Sequence, residues 1–355
     1  MKIIALLDLD YFYAQCEQIR NPALKNKPVV IVMPTVRGGG AIATCNYVAR
    51  ALKIKSGMGL SLAKKLSNSE TVFINADKDY YKEISDKVFD IVDFFCDKVE
   101  QVSIDEAYLD LTNPEGFEKA VKICESIKSK IKSELSLTCS IGLSVNKLIA
   151  KLASEEKKPD GLTKVVPEQV DSFLLKKQVR EIHGVGPKYG EIFNANKIFT
   201  IKELRLVSIQ KLIDWFGNVK GEQFYNFAKG VDSREVQSNR EKQQLSRMMT
   251  LKNDTLNFDE IKSTIDLLSS LVYNESKTIK KNFKTCSLII ITNKYETFTK
   301  SKTLELNLDL NTLKEVEYSL LKDFLDESLQ LVKRVGIRIS NFDANYGTQK
   351  KLFDF

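Results

Sequence analysis

Histidine is nearly missing from this chain: His183 stands alone among 355 residues. The six cysteines (Cys16, Cys45, Cys96, Cys124, Cys139 and Cys286) are scattered and form no C-x-x-C pair. That argues against structural zinc and for reduced thiols in a cytoplasmic protein. No apolar run approaches the length of a membrane span, so no membrane partner is expected. The opening stretch, "MKIIALLDLD", meets an acidic residue too early for a secretory signal. Solenoid-period repeats and low-complexity tracts are missing too. No proline follows Pro187, the last of seven, which leaves the later half free to form long uninterrupted elements.

What is present describes a folded chain of more than one domain. Hydrophobic content of 43% with 28% charged residues suits globular units, and the length exceeds one ordinary core. The net charge of +7 favours an acidic partner, nucleic acid first. "KIIALLDL" reads as a strand, with loops and short helices following to about residue 77. The helix "KDYYKEISDKVFDIVDFFCDKV" carries Tyr81, Ile84, Val88 and Ile91 at helical spacing. Two strands around Asp105, a second helix and the strand "LTCSIGLS" complete β-α-β-β-α-β, a ferredoxin-like layer. Residues 245–340 give the same order of elements again. Between the two lie a helical segment, 166–231, and a polar aperiodic stretch, 232–244, that reads as a linker.

The stretch "SIDEAYLDLT" sets Asp105 and Glu106 side by side. Val102 and Ile104 are apolar at even positions, whereas Ala107, Leu109 and Leu111 are apolar at odd ones. One unbroken strand cannot keep both sets on one face, so two strands meet there at a turn or bulge with the acids at its tip. An ordinary solvated turn would read the same way. The first strand ends in "LDLD", which brings Asp8 and Asp10 to the same neighbourhood. Clustered carboxylates call for a cation, and all-oxygen donors suit Mg²⁺ and phosphate chemistry, often with two ions. Asp10 is open between metal ligation and a structural hydrogen-bonding role behind the site.

"DLDYFYAQCE", "ATCNYVAR", "SIDEAYLDLT", "CSIGLSVNKLIAKLAS" and "KKPDG" occur in the order and spacing of the Y-family DNA polymerases. The chain resembles their DNA polymerase IV (DinB-like) branch from end to end, archaeal members above all. The resemblance implies an α+β fold of the right-hand polymerase type. Its parts would be a ferredoxin-like palm (1–10 and 78–165), small fingers (11–77), a helical thumb (166–231), a linker (232–244) and a β-α-β-β-α-β little finger (245–340). It implies that Asp8, Asp105, Glu106 and the main-chain carbonyl of Leu9 bind two Mg²⁺ ions, with Asp105 and Glu106 catalytic. Tyr11 and Phe12 would offer N–H groups to the nucleotide, and Tyr13 would exclude a ribose 2'-OH. Thr44, Tyr47, Arg50 and Lys158 would hold the triphosphate; Lys157 beside Lys158 leaves that last position open by one residue. Ala41 and Ala43 would leave little bulk against a nascent base pair.

"REIHGVGPKYGEIFNANKIFTIKEL" resembles a helix-hairpin-helix, in which Gly184, Gly186 and Lys188 would meet DNA phosphates. His183 reads as a loop or packing residue. From Lys277 to Lys302 seven lysines face a single acid, Glu296, either to solubilise a sheet edge or to grip DNA. The tail 341–355 closes with Gln349, Leu352, Phe353 and Phe355, which resemble a peptide for a PCNA-type sliding clamp. The implied enzyme is a monomer that extends primer-template DNA with dNTPs at low fidelity and carries no proofreading domain. A clamp-bound scaffold with a weak palm, or another palm-fold nucleotidyltransferase or cyclase, would share the acidic pair.

Overall fold

The computed structural model describes residues 1–238, 242–305 and 308–342. The chain divides into two compact units, one of residues 1–33 and 40–240 and one of residues 34–39 and 241–355. The first is organised around the run "IALLDL", apolar at successive positions and so suited only to the middle of a sheet. It forms β1 (Ile4–Leu9), buried along its whole length. Helix α1 (Phe12–Arg20) leaves directly from its end.

The stretch read as loops and short helices up to residue 77 holds a three-stranded sheet instead. Its strands are β2 (Val29–Pro34), β3 (Gly40–Cys45) and β4 (Val72–Asn75), in the order β3-β2-β4. "VVIVM" is the cause: a short β-branched apolar run makes a fully buried strand. Two short helices, α2 (Tyr47–Ala51) and α3 (Leu60–Leu66), pack in the same small core through Ala49 and Ala63.

The β-α-β-β-α-β order is present as read. Helix α4 (Lys78–Phe95) leads to β5 (Val99–Gln101) and β6 (Glu106–Asp110), then α5 (Gly116–Leu135) and β7 (Cys139–Ser144). Helix α6 (Lys147–Glu155) and β8 (Leu162–Lys164) follow. The sheet order is β5-β6-β1-β7-β8, with β1 antiparallel to both β6 and β7. Tyr81, Val88 and Val92 of α4 and Ala120, Cys124 and Ile127 of α5 share a core with Ala5, Leu7 and Leu9. Ala150 of α6 packs instead with Ile4, Leu6 and Tyr108, the strand positions of opposite parity. Gly142 makes that contact close, because a Cβ there would overlap Ala150 O and Ser154 N.

Helix α6 also joins a further core with α7 (Pro167–Leu174), α8 (Pro187–Ala195), α9 (Ile201–Leu204) and α10 (Ile209–Ala228). Leu148, Ile149 and Leu152 meet Leu174, Phe193, Leu212 and Phe224 there. The first residues of the stretch read as a linker are docked on this unit. Val236 is buried among Ile4, Leu6 and Tyr108. Asp232 accepts from Leu148 N at 3.0 Å, and Glu100 accepts from Gln237 N at 2.7 Å.

The second unit contains β9 (Gln244–Thr255), α11 (Phe258–Thr278), β10 (Phe283–Thr292), β11 (Thr297–Thr303), α12 (Leu310–Glu327) and β12 (Val332–Phe342). Its elements follow the same order as those of the first sheet, but its strands pair as β11-β10-β12-β9. Ile261, Ile265 and Leu268 of α11 and Leu313, Leu321 and Phe324 of α12 cover Leu288, Ile337 and Ile339. Glu317 of α12 is fully buried in that core. All six cysteines are free and buried. Gln349, Leu352, Phe353 and Phe355 lie outside the described residues. Among the described residues no helix is long and apolar enough to cross a membrane.

Candidate active site

The parity flip at Asp105-Glu106 is a hairpin between β5 and β6. Asp105 lies in the turn and Glu106 opens β6, held by Val102 N donating to Glu106 O at 3.0 Å. Ser103 shapes the turn: its Oγ accepts from Glu106 N at 3.0 Å and Asp105 N at 3.2 Å, and donates to the Asp105 carboxylate. From below, Ser85 of α4 donates to Ile104 O at 2.6 Å. Leu9 N donates to Asp105 O at 2.8 Å, which ties the end of β1 to the turn. Asp8 and Glu106 are register partners across β1 and β6. Like charges placed opposite one another in a sheet repel, so this pair requires a cation.

Lysines supply it here. Lys151 of α6 donates to Asp8 Oδ2 at 2.8 Å and Glu106 Oε2 at 2.6 Å. Lys158 pairs with Asp8 Oδ1 and Glu155 Oε1, both at 2.8 Å. Burial would raise the Asp8 carboxyl, but the two ammonium groups outweigh it and hold it below the usual range. Asp105 lies above that range, pushed there by burial first and then by the charges of Asp8 and Glu106. Among the described residues no three metal-ligating side chains stand close enough to hold an ion as placed. The donor set nevertheless fits a hard divalent cation: Asp8, Asp105 and Glu106 offer oxygen alone, and their repulsion calls for positive charge.

Asp8, Asp105 and Lys158 line an open cavity of about 440 Å³ together with Leu9, Tyr11, Phe12, Tyr13, Thr44, Tyr47 and Arg50. Ala43, Ser56, Ser103 and Ile104 complete its wall, whereas Ala41 and Lys157 are not part of it. Tyr11 adopts the left-handed conformation (φ 36°), uncommon for a tyrosine, and turns the chain into α1. No side chain caps α1, whose first residues, Phe12 and Tyr13, line the cavity with Tyr11, and the N–H groups at the start of a helix have no acceptor within it. Tyr13 stacks on Tyr81 (centroids 4.4 Å apart, 17° between planes), and Tyr81 Oη donates to Glu17 at 2.8 Å. Arg50 donates to Cys45 O at 3.2 Å and lies over the Tyr47 ring, 4.8 Å from its centroid. Asn46 anchors that helix by accepting from Ala49 N and Val29 N at 3.0 Å each.

Asp10 is fully committed behind the site. It accepts from Thr138 Oγ1 at 2.9 Å, Ser140 Oγ at 2.7 Å and Asp160 N at 2.8 Å. A second cavity, about 460 Å³, is lined by Lys151, Glu155, Arg180 and the loop Ile182–Gly186. Gly184 there has φ +98°, which only glycine adopts readily, and α8 starts at Pro187 without a side-chain cap. His183, Gly184, Gly186 and Lys188 are exposed.

Reasoning from residue types missed Lys151, Ser103, Ser56 and Tyr81. One signal for Lys151 was legible: "KLIAKLAS" is a lysine inside an otherwise apolar helix, which asks for a buried partner. Tyr81 reads as ordinary core.

Residues 7–155 match the impB/mucB/samB family and residues 242–352 its C-terminal domain. Residues 180–232 match the thumb domain described for DNA polymerase-iota. A DNA polymerase IV of Methanosarcina acetivorans is 36% identical over 365 residues, covering 100% of this chain and 99% of that one. A solved Y-family DNA polymerase chimera of Dbh and Dpo4 superposes with a TM-score of 0.90 at 28% identity, over 97% of this chain and 100% of that one. An insertion ternary complex of Dbh DNA polymerase gives 0.72 at the same identity and coverage.

Proposed function

The chain belongs to the Y-family DNA polymerases, in the DinB-like branch named DNA polymerase IV, and on that premise we propose how its residues divide the work. It is a metal-dependent DNA polymerase of the translesion type, with DNA and a deoxynucleoside triphosphate as partners. In our reading Asp8, Asp105, Glu106 and the Leu9 carbonyl hold two Mg²⁺ ions, which when bound acidify the primer 3'-OH and neutralise the leaving pyrophosphate. The rest is done by the chain itself. Uncapped N–H groups at Tyr11 and Phe12 donate to the triphosphate oxygens, as the N–H groups of a helix N-terminus do to any anion. Arg50 chelates phosphate oxygens in bidentate fashion, Lys158 adds a point charge, and Thr44 and Tyr47 add hydroxyls. Tyr13, backed by Tyr81, blocks the space of a 2'-OH.

The same reading takes residues 1–10 and 78–165 as palm, 11–77 as fingers, 166–231 as thumb and 245–340 as little finger. Gly184, Gly186 and Lys188 hold the DNA backbone, and lysines of the little finger add salt-dependent, sequence-blind affinity. The tail from Gln349 to Phe355 docks on a sliding clamp, and the enzyme works as a cytoplasmic monomer.

One observation supports this assignment above the others: Asp8 faces Glu106 in register, beside a cavity that also holds Asp105, Arg50, Lys158 and an uncapped helix. Primer extension with variants tests it. Asp105→Ala is expected to lose about a thousandfold in rate, roughly 4 kcal/mol, while DNA binding survives. Tyr13→Ala is expected to gain ribonucleotide insertion with a much smaller loss of deoxynucleotide insertion. Parent-like turnover in the first variant overturns the catalytic assignment; parent-like sugar selection in the second moves the gate elsewhere.

A further inference from the structure

One strong contact in the site is not used by the chemistry above. Helix α6 is buried almost all round, and Gly142 lets it lie flush against β7. That seats Lys151 over the ends of β1 and β6, its side chain only 16% exposed. Its ammonium donates to Asp8 Oδ2 at 2.8 Å and to Glu106 Oε2 at 2.6 Å, the two register partners. Lys158 does not duplicate it, because it engages Asp8 and Glu155 but not Glu106. A divalent ion bound by these carboxylates would compete with Lys151 for the same two negative charges.

We propose that Lys151 is a built-in counter-ion that competes with divalent cations for Asp8 and Glu106. It holds the strand ends together against their mutual repulsion and sets metal affinity below what the carboxylates alone would give. The proposal rests on the metal-site reading above. When an ion takes the carboxylates, the ammonium passes to Glu155, one turn along the same helix and 3.7 Å away. The cavity shared by Lys151, Glu155 and the loop Ile182–Gly186 gives it room to turn. A site that is open one-tenth of the time binds about tenfold more weakly than one that is always open. Removing the ammonium therefore reads out as affinity.

The test uses Mn²⁺ and the full chain without DNA or nucleotide, with the free ion followed by electron paramagnetic resonance. Lys151→Met is expected to bind Mn²⁺ about tenfold more tightly than the parent. Its thermal midpoint in EDTA is expected to fall below the parent's and to rise further on adding Mn²⁺. Binding no tighter than the parent's overturns the proposal. Asp105→Ala separates the two layers of inference, since Ser103 rather than Lys151 holds that carboxylate. If Asp105→Ala binds Mn²⁺ as well as the parent, the metal-site reading fails and this proposal with it. Should Lys151→Met not fold, amine acetylation of the parent decides, read residue by residue by mass spectrometry. Labelling of Lys151 is expected to rise several-fold in Mn²⁺ over EDTA, and unchanged labelling overturns the release.

Discussion

The first sheet and the second unit are written in the same order, β-α-β-β-α-β, and fold into different sheets. In the first, the opening strand β1 lies between β6 and β7, and the hairpin β5-β6 is beside it. In the second, the opening strand β9 is an edge and the hairpin β10-β11 ends at the far edge, with β12 in between. Only the first arrangement brings the end of the opening strand against the hairpin's tip. Asp8 thereby meets Asp105 and Glu106. The equivalent turn of the second unit, Asn293 to Glu296, has no partner from β9 in its sheet. Element order says which pieces exist; strand pairing decides which of their ends can share a site.

The comparison is sharpest at the two hairpin tips. Glu106→Ala is expected to cost roughly 4 kcal/mol of transition-state stabilisation. Lys294→Ala, at the other tip, is expected to leave the rate constant for insertion on saturating DNA unchanged. Pre-steady-state single-nucleotide insertion measures both. Equal losses would mean the second hairpin belongs to the chemistry.

Next in size are two glycines in the sheets. Gly142→Ala drives a methyl group into the backbone of α6, and is expected to cost about 3 kcal/mol in urea unfolding. Gly336→Ala on β12 meets chiefly the end of the Met248 side chain, 3.0 Å from an added Cβ, and is expected to cost about 1 kcal/mol or less. The reverse ranking would show that α6 is not seated as tightly on β7 as described.

A last comparison separates the units by pH. Asp8 is stabilised as the anion, so its contribution is present above the usual carboxylate range and lost as pH falls through its lowered value. Glu317 is the opposite case: burial raises it to about 8, against the opposing pull of the neighbouring Cys286 thiol. Its contribution is intact below the ordinary glutamate range and lost as pH rises through that value. Glu317→Gln is expected to gain about 2 kcal/mol at pH 8 and nothing at pH 5, read from calorimetric midpoints. A gain of equal size at both pH values would remove the titration from the account.

Much of this was legible beforehand for a physical reason. Side-chain parity is a local property, so the flip around Asp105 located the hairpin without any knowledge of its neighbours. Helix α4 announced itself through apolar spacing in the same way. Strand pairing is not local. Nothing within β9 or β12 states which of them lies inside the sheet, so the different order of the second unit stayed invisible. The three-stranded sheet around β2 was missed because short apolar strands and loops alternate there too quickly for periodicity to register. Val236 was missed because one apolar residue in a charged stretch carries no pattern, although it is buried on the first sheet. Of the site, the carboxylates and the cavity-lining cations Arg50 and Lys158 were read from motifs; Lys151 left only the trace of a lysine in an apolar helix, and Tyr81, which acts through its tertiary neighbours, left none.

The buried thiols have a practical consequence. Cys16, Cys45, Cys96, Cys124 and Cys139 sit in the first unit and Cys286 in the second, none of them bridged and all sealed from solvent. A thiol reagent can reach each one only when its surroundings open, so the labelling rate at each position is a clock for that opening. Cys45 reports the small core of β2 and β3, Cys124 and Cys139 the interior behind the carboxylates, and Cys286 the core between the second unit's sheet and its helices. The chain thus carries its own set of local stability probes, one or more in each sheet, with no residue to change.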